Sequence, residues 1–504
     1  MLKQTSETMT LSRRALMSGA AALATAACAS RDHSGPSAPP SDVLTGLDGV
    51  GVAARIRAGE ITAGEALEAA IARSEALQPQ VNFMATPCFD RARAQAGQPS
   101  SGPFAGVPTL IKDLAPLEGV RIMYGCRAFA NNIATNTAAY VAAMLRAGIN
   151  PIGKSTTPEF GFTATTEPLV TGPTRNPWNL DHSSGGSSGG AAAAVAAGVV
   201  PFAHASDGGG SIRIPASICG LVGLKSSRGR LIDDPSTVPV EISVDGVVTR
   251  SVRDTAAWLA ATERTDAAAP LTPVGMVTGP SARRLRIGLM VPDLLGTRPH
   301  PDVVAAVEAA ARACEELGHR VTEVTLPVNG AQFQEAFTLY WAAGAAETAA
   351  NVARNAGSVP LTDLLEPLTL QLADLWQRQP EGTAPRVIGA LRSVEAQYLS
   401  AFATMDVLIT PVLAKPPVLI GEIAPTLPFD VGFARVGQYA NYTPLQNAAG
   451  TPGLSLPLGM STDGLPIGVQ FAAAAGGERT LLELAYELEL ARPWRDRHAP
   501  LFAG

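Results

Sequence analysis

Two glycine–serine runs stand close together in the middle of the chain. They are Ser183-Ser184-Gly185-Gly186-Ser187-Ser188-Gly189-Gly190 and Asp207-Gly208-Gly209-Gly210-Ser211-Ile212-Arg213. A hydroxyl beside glycines suits nucleophilic chemistry, because backbone N–H groups can approach the reacting atom where no side chain intervenes. The same composition also describes a flexible linker. The apolar stretch 191–200 between the runs reads as a buried helix, however, and a linker is not built around a core element. The region is therefore a candidate active site. Its serine would need a base, and His300, His319 and His498 read as structural or exposed. A lysine can serve only when neutral, which takes burial or positive neighbours. Lys112 follows the apolar run 107–111, so its stem starts inside the core at a strand end. That position also suits a snorkelling lysine or a salt-bridged one, for instance with Asp113.

Two motif matches point elsewhere and fail on context. Gly148 to Ser155 fits the phosphate-binding pattern, which needs a strand before the glycines and a helix after the lysine. Here a helix precedes and Thr156-Thr157-Pro158 follows, so the segment reads as a helix-to-strand turn. Gly185-Gly186-Ser187-Ser188-Gly189 fits a nucleophile elbow, which needs a buried strand just before it. Residues 179–184 are polar and read as a turn instead.

The elements that must position these residues alternate. Helical periodicity begins near Gly49 and runs through Ala53, Ile56, Ile61, Leu67 and Ile71. Strands are expected over 107–111, from Pro151, and over 285–291, 321–324, 407–410, 453–457 and 466–471. Helices are expected over 137–147, 301–317 and 481–490. Alternating strands and helices imply an α/β layered architecture. Residues 265–283 read as a long loop, and 330–400 as a mostly helical cap over the site. The chain has 504 residues, 46% of them hydrophobic and 16% charged, with net charge −6, which leaves room for a large core and argues against a nucleic-acid partner. Five cysteines, Cys28, Cys88, Cys126, Cys219 and Cys314, form neither a zinc pattern nor a disulfide framework. No later stretch makes a convincing membrane span.

The N-terminus resembles an export signal. Ser12-Arg13-Arg14 precedes a mild alanine-rich stretch, and Ala27-Cys28-Ala29 offers a small-residue cleavage site. The expected organisation is a Tat-type signal over 1–29, a linker over 30–42 and one domain over 43–504, in the periplasm. A lipid anchor on Cys28 is the alternative, weakened by Thr25 where leucine is usual.

From about Gly49 to Trp494 the chain resembles the amidase signature family. The resemblance rests on Gly106 to Asp113, Asn176-Pro177-Trp178-Asn179, Gly185 to Gly190, Asp207 to Ala216, Cys219 to Lys225, and Gly464 to Gln470, in the family's order. It implies one large α/β/α domain around a mixed sheet. It also implies that Lys112 is the base, Ser187 a bridging serine after a cis peptide, and Ser211 the nucleophile. The spacing of the two serines, 24 residues (211 − 187), agrees with the family pattern. Gly208, Gly209, Gly210 and Ser211 would surround the oxyanion, and Ser188 would support the network. Asp207 and Arg213 flank the nucleophile, where they suit either binding of substrate charge or, as read here, a structural ion pair or loop clamp; His204 and Cys219 read as core. Lys225-Ser226-Ser227 replaces the usual Lys-Pro-Thr, and Ser183-Ser184 the usual Thr-Pro.

The expected activity is hydrolysis of a small-molecule amide, with no metal or cofactor and, at most, a second copy of the chain as partner. Thr165-Thr166-Glu167-Pro168 and Asp207 to Ser211 look most like the 6-aminohexanoate-cyclic-dimer hydrolase branch. Other readings are a glutaminase subunit of an amidotransferase, which the export signal opposes, and a non-catalytic binding protein, which intact Lys112, Ser187 and Ser211 oppose. Tyr124, Cys126, Tyr340, Trp341 and Tyr442 are expected to line the substrate pocket.

Overall fold

The computed structural model describes residues 42–98, 100–234 and 236–503. The expected signal, and the linker apart from Asp42, lie outside them. From Asp42 onward the chain forms one compact unit. Its centre is an eight-stranded sheet in the order Arg320–Glu323, Arg286–Leu289, Val407–Pro411, Pro466–Ala472, Gly453–Met460, Val222–Lys225, Val244–Thr249, Phe202–Asp207. The first three strands are parallel and the remaining pairs antiparallel, so the sheet is mixed.

Helices cover both faces, and two glycines show it. A Cβ on Gly459 would lie 2.4 Å from Ala306 of helix Pro301–Glu316. One on Gly468 would lie 2.7 Å from Ser217 of helix Arg213–Cys219. Gly459 pairs with Ile467, the residue before Gly468. Successive residues of a strand point to opposite faces, so the two helices lie on opposite sides, each needing glycine for its close approach.

A second sheet joins Met84–Pro87, Asn150–Ser155 and Pro108–Lys112 in that order. It meets the large sheet through side chains: Thr109 Oγ1 donates to Phe202 O at 2.8 Å, and the Lys112 N–H donates to His204 Nδ1 at 3.1 Å.

Most expected elements form, with two differences. The periodic run from Gly49 is two helices, Gly49–Arg57 and Ala63–Val81. Gly59, at φ 71°, turns the chain, and Thr62 with Glu65 builds a capping box that restarts it. Residues 179–183 form a strand, not a turn, paired antiparallel with Arg175–Asn176. A two-stranded ribbon with one face exposed needs polar residues, which is why the segment read as a turn. Residues 330–400 are helical as expected, led by Gly330–Asn355, and 265–283 contains no regular element. Lys154, the lysine of the phosphate-loop match, lies buried on a strand and donates to Ala115 O. No helix among the described residues is long and apolar enough to cross a membrane.

Candidate active site

Lys112 ends a strand whose five residues are all buried, and its own side chain is fully enclosed. It does not bond Asp113, whose Oδ2 accepts the Met123 N–H instead. Its Nζ lies 2.7 Å from Ser187 Oγ, 3.0 Å from Ser206 Oγ and 3.3 Å from Ser206 O. Nζ can donate to all three oxygens; once neutral it keeps two N–H groups for Ser206 and has a lone pair for the Ser187 hydroxyl. Burial lowers the pKa from 10.5 to about 7, against the opposing pull of Asp245 and Asp207.

The strand Phe202–Asp207 supplies the surroundings. His204 and Ser206, two apart, both reach Lys112, one at its backbone and one at its amine. Burial lowers the pKa of His204. Its Nδ1 accepts from Lys112, so Nε2 carries the proton toward Asp245 Oδ1, 2.9 Å away. Ser188 Oγ donates to Ser206 O and accepts from Ser206 N–H, bracing that strand end. Ser206 escaped the sequence reading although it precedes Asp207. The period-two alternation of a strand ending there was the available signal.

Ser187 follows a cis peptide after Gly186. Among the described residues no hydrogen bond joins Ser187 to Ser211. Gly186 and Ser211 line the same cavity, of about 600 Å³. Ser211 stands just before helix Arg213–Cys219.

The loop between Asp207 and Ser211 is clamped from below. Arg213 grips the Asp207 carboxylate with Nε at 2.9 Å and Nη2 at 2.8 Å, both side chains fully buried. Burial pushes the Asp207 pKa up, but the Arg213 charge and hydrogen bonds outweigh it and hold the group well below the carboxylate range. Asn447, Gln446 and Gln470 complete the cluster. Asp207 and Arg213 thus hold the loop and do not face the cavity. Asp207 Oδ1 also takes the N–H of Gly210 at 2.7 Å. That corrects the expected four-donor cradle: a donor already spent on a carboxylate is not free for an oxyanion. The N–H groups of Gly208, Gly209 and Ser211 have no hydrogen-bond partner among the described residues. Gly210, at φ 131°, leaves no room for a side chain, since a Cβ would lie 2.2 Å from Thr443 Oγ1. Thr443 Oγ1 in turn donates to Gly209 O at 2.6 Å.

Of the five expected pocket residues, only Trp341 lines the cavity. Tyr124 packs edge-on against Phe129. Cys126 is buried and bonds Leu364 O. Tyr340 lies one residue from Trp341 on its helix and turns its hydroxyl to Val240 O. Tyr442 is buried against Val291 O. Tyrosine hydroxyls seek partners when buried, and Tyr340 and Tyr442 find backbone ones outside the cavity. The histidines considered as alternative bases also have other duties. His300 caps a helix, His319 bonds Leu285 N–H and Glu487, and His498 stacks on Phe502. Cys88, Cys126, Cys219 and Cys314 are free thiols whose pKa burial raises.

The family model Amidase matches residues 65–482. The chain belongs to the amidase signature family. This amidase is 43% identical over 466 residues to the AmiC protein of Mycobacterium tuberculosis, covering 92% of this chain and 98% of that one. It is 35% identical over 492 residues to the 6-aminohexanoate-cyclic-dimer hydrolase of Paenarthrobacter ureafaciens, covering 90% and 96%. The solved structure of 6-aminohexanoate cyclic dimer hydrolase complexed with substrate superposes with a TM-score of 0.83 at 33% identity, covering 91% of this chain and 99% of that one. This amidase is accordingly an enzyme that hydrolyses amide bonds.

Proposed function

We propose that this amidase forms an acyl-enzyme on Ser211, with Ser187 and Lys112 as its proton relay. The observation that carries the reading is the enclosed Lys112 amine, 2.7 Å from Ser187 Oγ with its pKa lowered to about 7. Such an amine can take a proton near neutral pH. Ser211 Oγ bonds to the amide carbon and passes its proton to Ser187, whose own proton moves to Lys112. The carbonyl oxygen becomes an oxyanion within reach of the unspent N–H groups of Gly208, Gly209 and Ser211. Each such donor contributes about 3 kcal/mol to the transition state. As the C–N bond breaks, a proton returns through Ser187 to the leaving nitrogen. Water then attacks the ester, releasing the carboxylate and restoring Ser211. A fluorophosphonate should label Ser211, and Ser211→Ala should lose both label and turnover. Turnover surviving in that variant, or labelling of another residue, would refute the assignment.

We further propose that residues 1–29 direct Tat-type export to the periplasm. Their motif Ser12-Arg13-Arg14 supports this. Replacing Arg13 and Arg14 by lysine should leave the enzyme in the cytoplasm of its host, and unchanged export would refute it.

A further inference from the structure

We infer that the substrates of this site are uncharged amides that place an aryl or bulky apolar group beside the scissile bond. The inference rests on Ser211 being the nucleophile, because Ser211 locates the reaction within the cavity.

The first argument is the wall beside the reacting atoms. Helix Gly330–Asn355 sets Phe333, Phe337 and Trp341 at i, i+4 and i+8, on one face. Phe337 and Trp341 stack at 5.7 Å and 22°. They lie directly on the loop that carries the nucleophile. A Cβ on Gly208 would be 3.5 Å from the Trp341 ring, and one on Gly209 would be 3.5 Å from the Phe337 ring. Phe162 meets Trp341 edge-on, at 6.0 Å and 74°. Trp341 Nε1 donates to Phe162 O at 3.2 Å, so the indole offers the cavity carbon and no free donor. Phe162, Phe337 and Trp341 all line the cavity, so an aryl or apolar group held against this wall meets aromatic carbon.

The second argument is charge. Among the residues lining the cavity, Asp293 alone is ionisable. Its Oδ1 accepts the N–H groups of Leu295 and Thr297 at 2.9 and 2.8 Å, and its Oδ2 accepts from Asn441 Nδ2 at 2.6 Å. The lining therefore holds no cation for a substrate carboxylate, and its one acid is already engaged. A charge brought against this lining loses solvation and gains no partner, which is disfavoured. Glutamine, which carries two charges close to its amide, is a poor fit, as are linear amino-acid oligomers with charged ends. A volume of about 600 Å³ lies in the range of sites for drug-sized ligands, larger than a short amide needs.

The test uses two matched pairs: 4-phenylbutyramide against its para-carboxylate, and butyranilide against its para-carboxylate. Glutamine and butyramide complete the panel, and Ser211 labelling is run in parallel. The neutral member of at least one pair should exceed its carboxylate by about a hundredfold in kcat/KM, with glutamine at background, given the cost of a charge that loses solvation and gains no partner. For the pair preferred, Phe337→Ala should cut the ratio of aryl amide to butyramide about tenfold, from the lost ring contacts. That ratio is taken within one preparation and does not depend on how much of the variant folds. Labelled Ser211 with carboxylates or glutamine turned over as fast as the neutral amides would overturn the inference and leave the mechanism standing. So would an unchanged ratio in Phe337→Ala. Turnover without label at Ser211 would instead overturn the mechanism.

Discussion

Replacing Lys112 by methionine should remove activity and, over a defined pH range, make the protein more stable than the native chain. The lysine is charged in the unfolded chain up to pH 10.5 but loses its proton near pH 7 in the fold. Between those values the folded state binds fewer protons, so native stability rises with pH through this window. With those two pKa values the buried lysine costs about 4 kcal/mol at pH 7 and about 2 kcal/mol at pH 9. Methionine has similar length and no charge, so it escapes both costs. Lost contacts to Ser187 and Ser206 offset part of the gain, but by a similar amount at each pH. Lys154 and Lys225, also buried with lowered pKa values, are common to both proteins and cancel. Urea unfolding of both proteins at pH 7 and pH 9 should therefore show the variant's advantage shrinking by about 2 kcal/mol. The same pKa should shape the native rate: kcat/KM should rise about tenfold from pH 6 to pH 8, as the neutral amine goes from about one-eleventh to about ten-elevenths of the population. A stability difference that is flat with pH, or grows toward pH 9, would refute a neutral Lys112. So would a rate profile flat across pH 7.

Three further changes probe the supports of the site. Gly210→Ala forces a Cβ to 2.2 Å from Thr443 Oγ1 at φ 131°. It should cost about 1–3 kcal/mol in unfolding experiments and lower kcat about a hundredfold by displacing the neighbouring N–H donors. Asp207→Asn leaves the buried Arg213 charge unmatched, so the melting transition should report a loss of about 3–5 kcal/mol. A variant as stable as the native protein would show that the clamp is not holding the loop. His204→Phe keeps a ring but removes the acceptor for Lys112 N–H and the partner of Asp245. It should destabilise the fold by about 1–3 kcal/mol and lower kcat with KM unchanged, because the substrate cavity is untouched; a rise in KM alone would count against the positioning role.

Most of the framework was legible in the sequence. Val407–Pro411 and Pro108–Lys112 contain short apolar, β-prone runs that read as buried strands, and Pro301–Glu316 carries both helical periodicity and its proline start. The polar ribbon Asn179–Ser183 was not legible, because local composition there describes exposure and says nothing of pairing. The candidate site divided in the same way. Lys112, Ser187 and Ser211 stand in segments whose glycines and apolar neighbours mark them locally. Ser206 was hidden, since a serine looks alike whether its hydroxyl meets an amine or water.

What the sequence determined by itself is the chemistry available: a lysine at the end of a buried run and two serines in glycine-rich turns. The tertiary structure decided how it is arranged. It drew Lys112 onto Ser187 from 75 residues away, assigned the Gly210 N–H to Asp207, and placed Trp341 on the cavity while turning Tyr340 to Val240. Trp341 and Tyr340 are adjacent aromatics on one helix, so nothing local separates their roles. Only the surfaces packed around that helix determine which ring faces substrate.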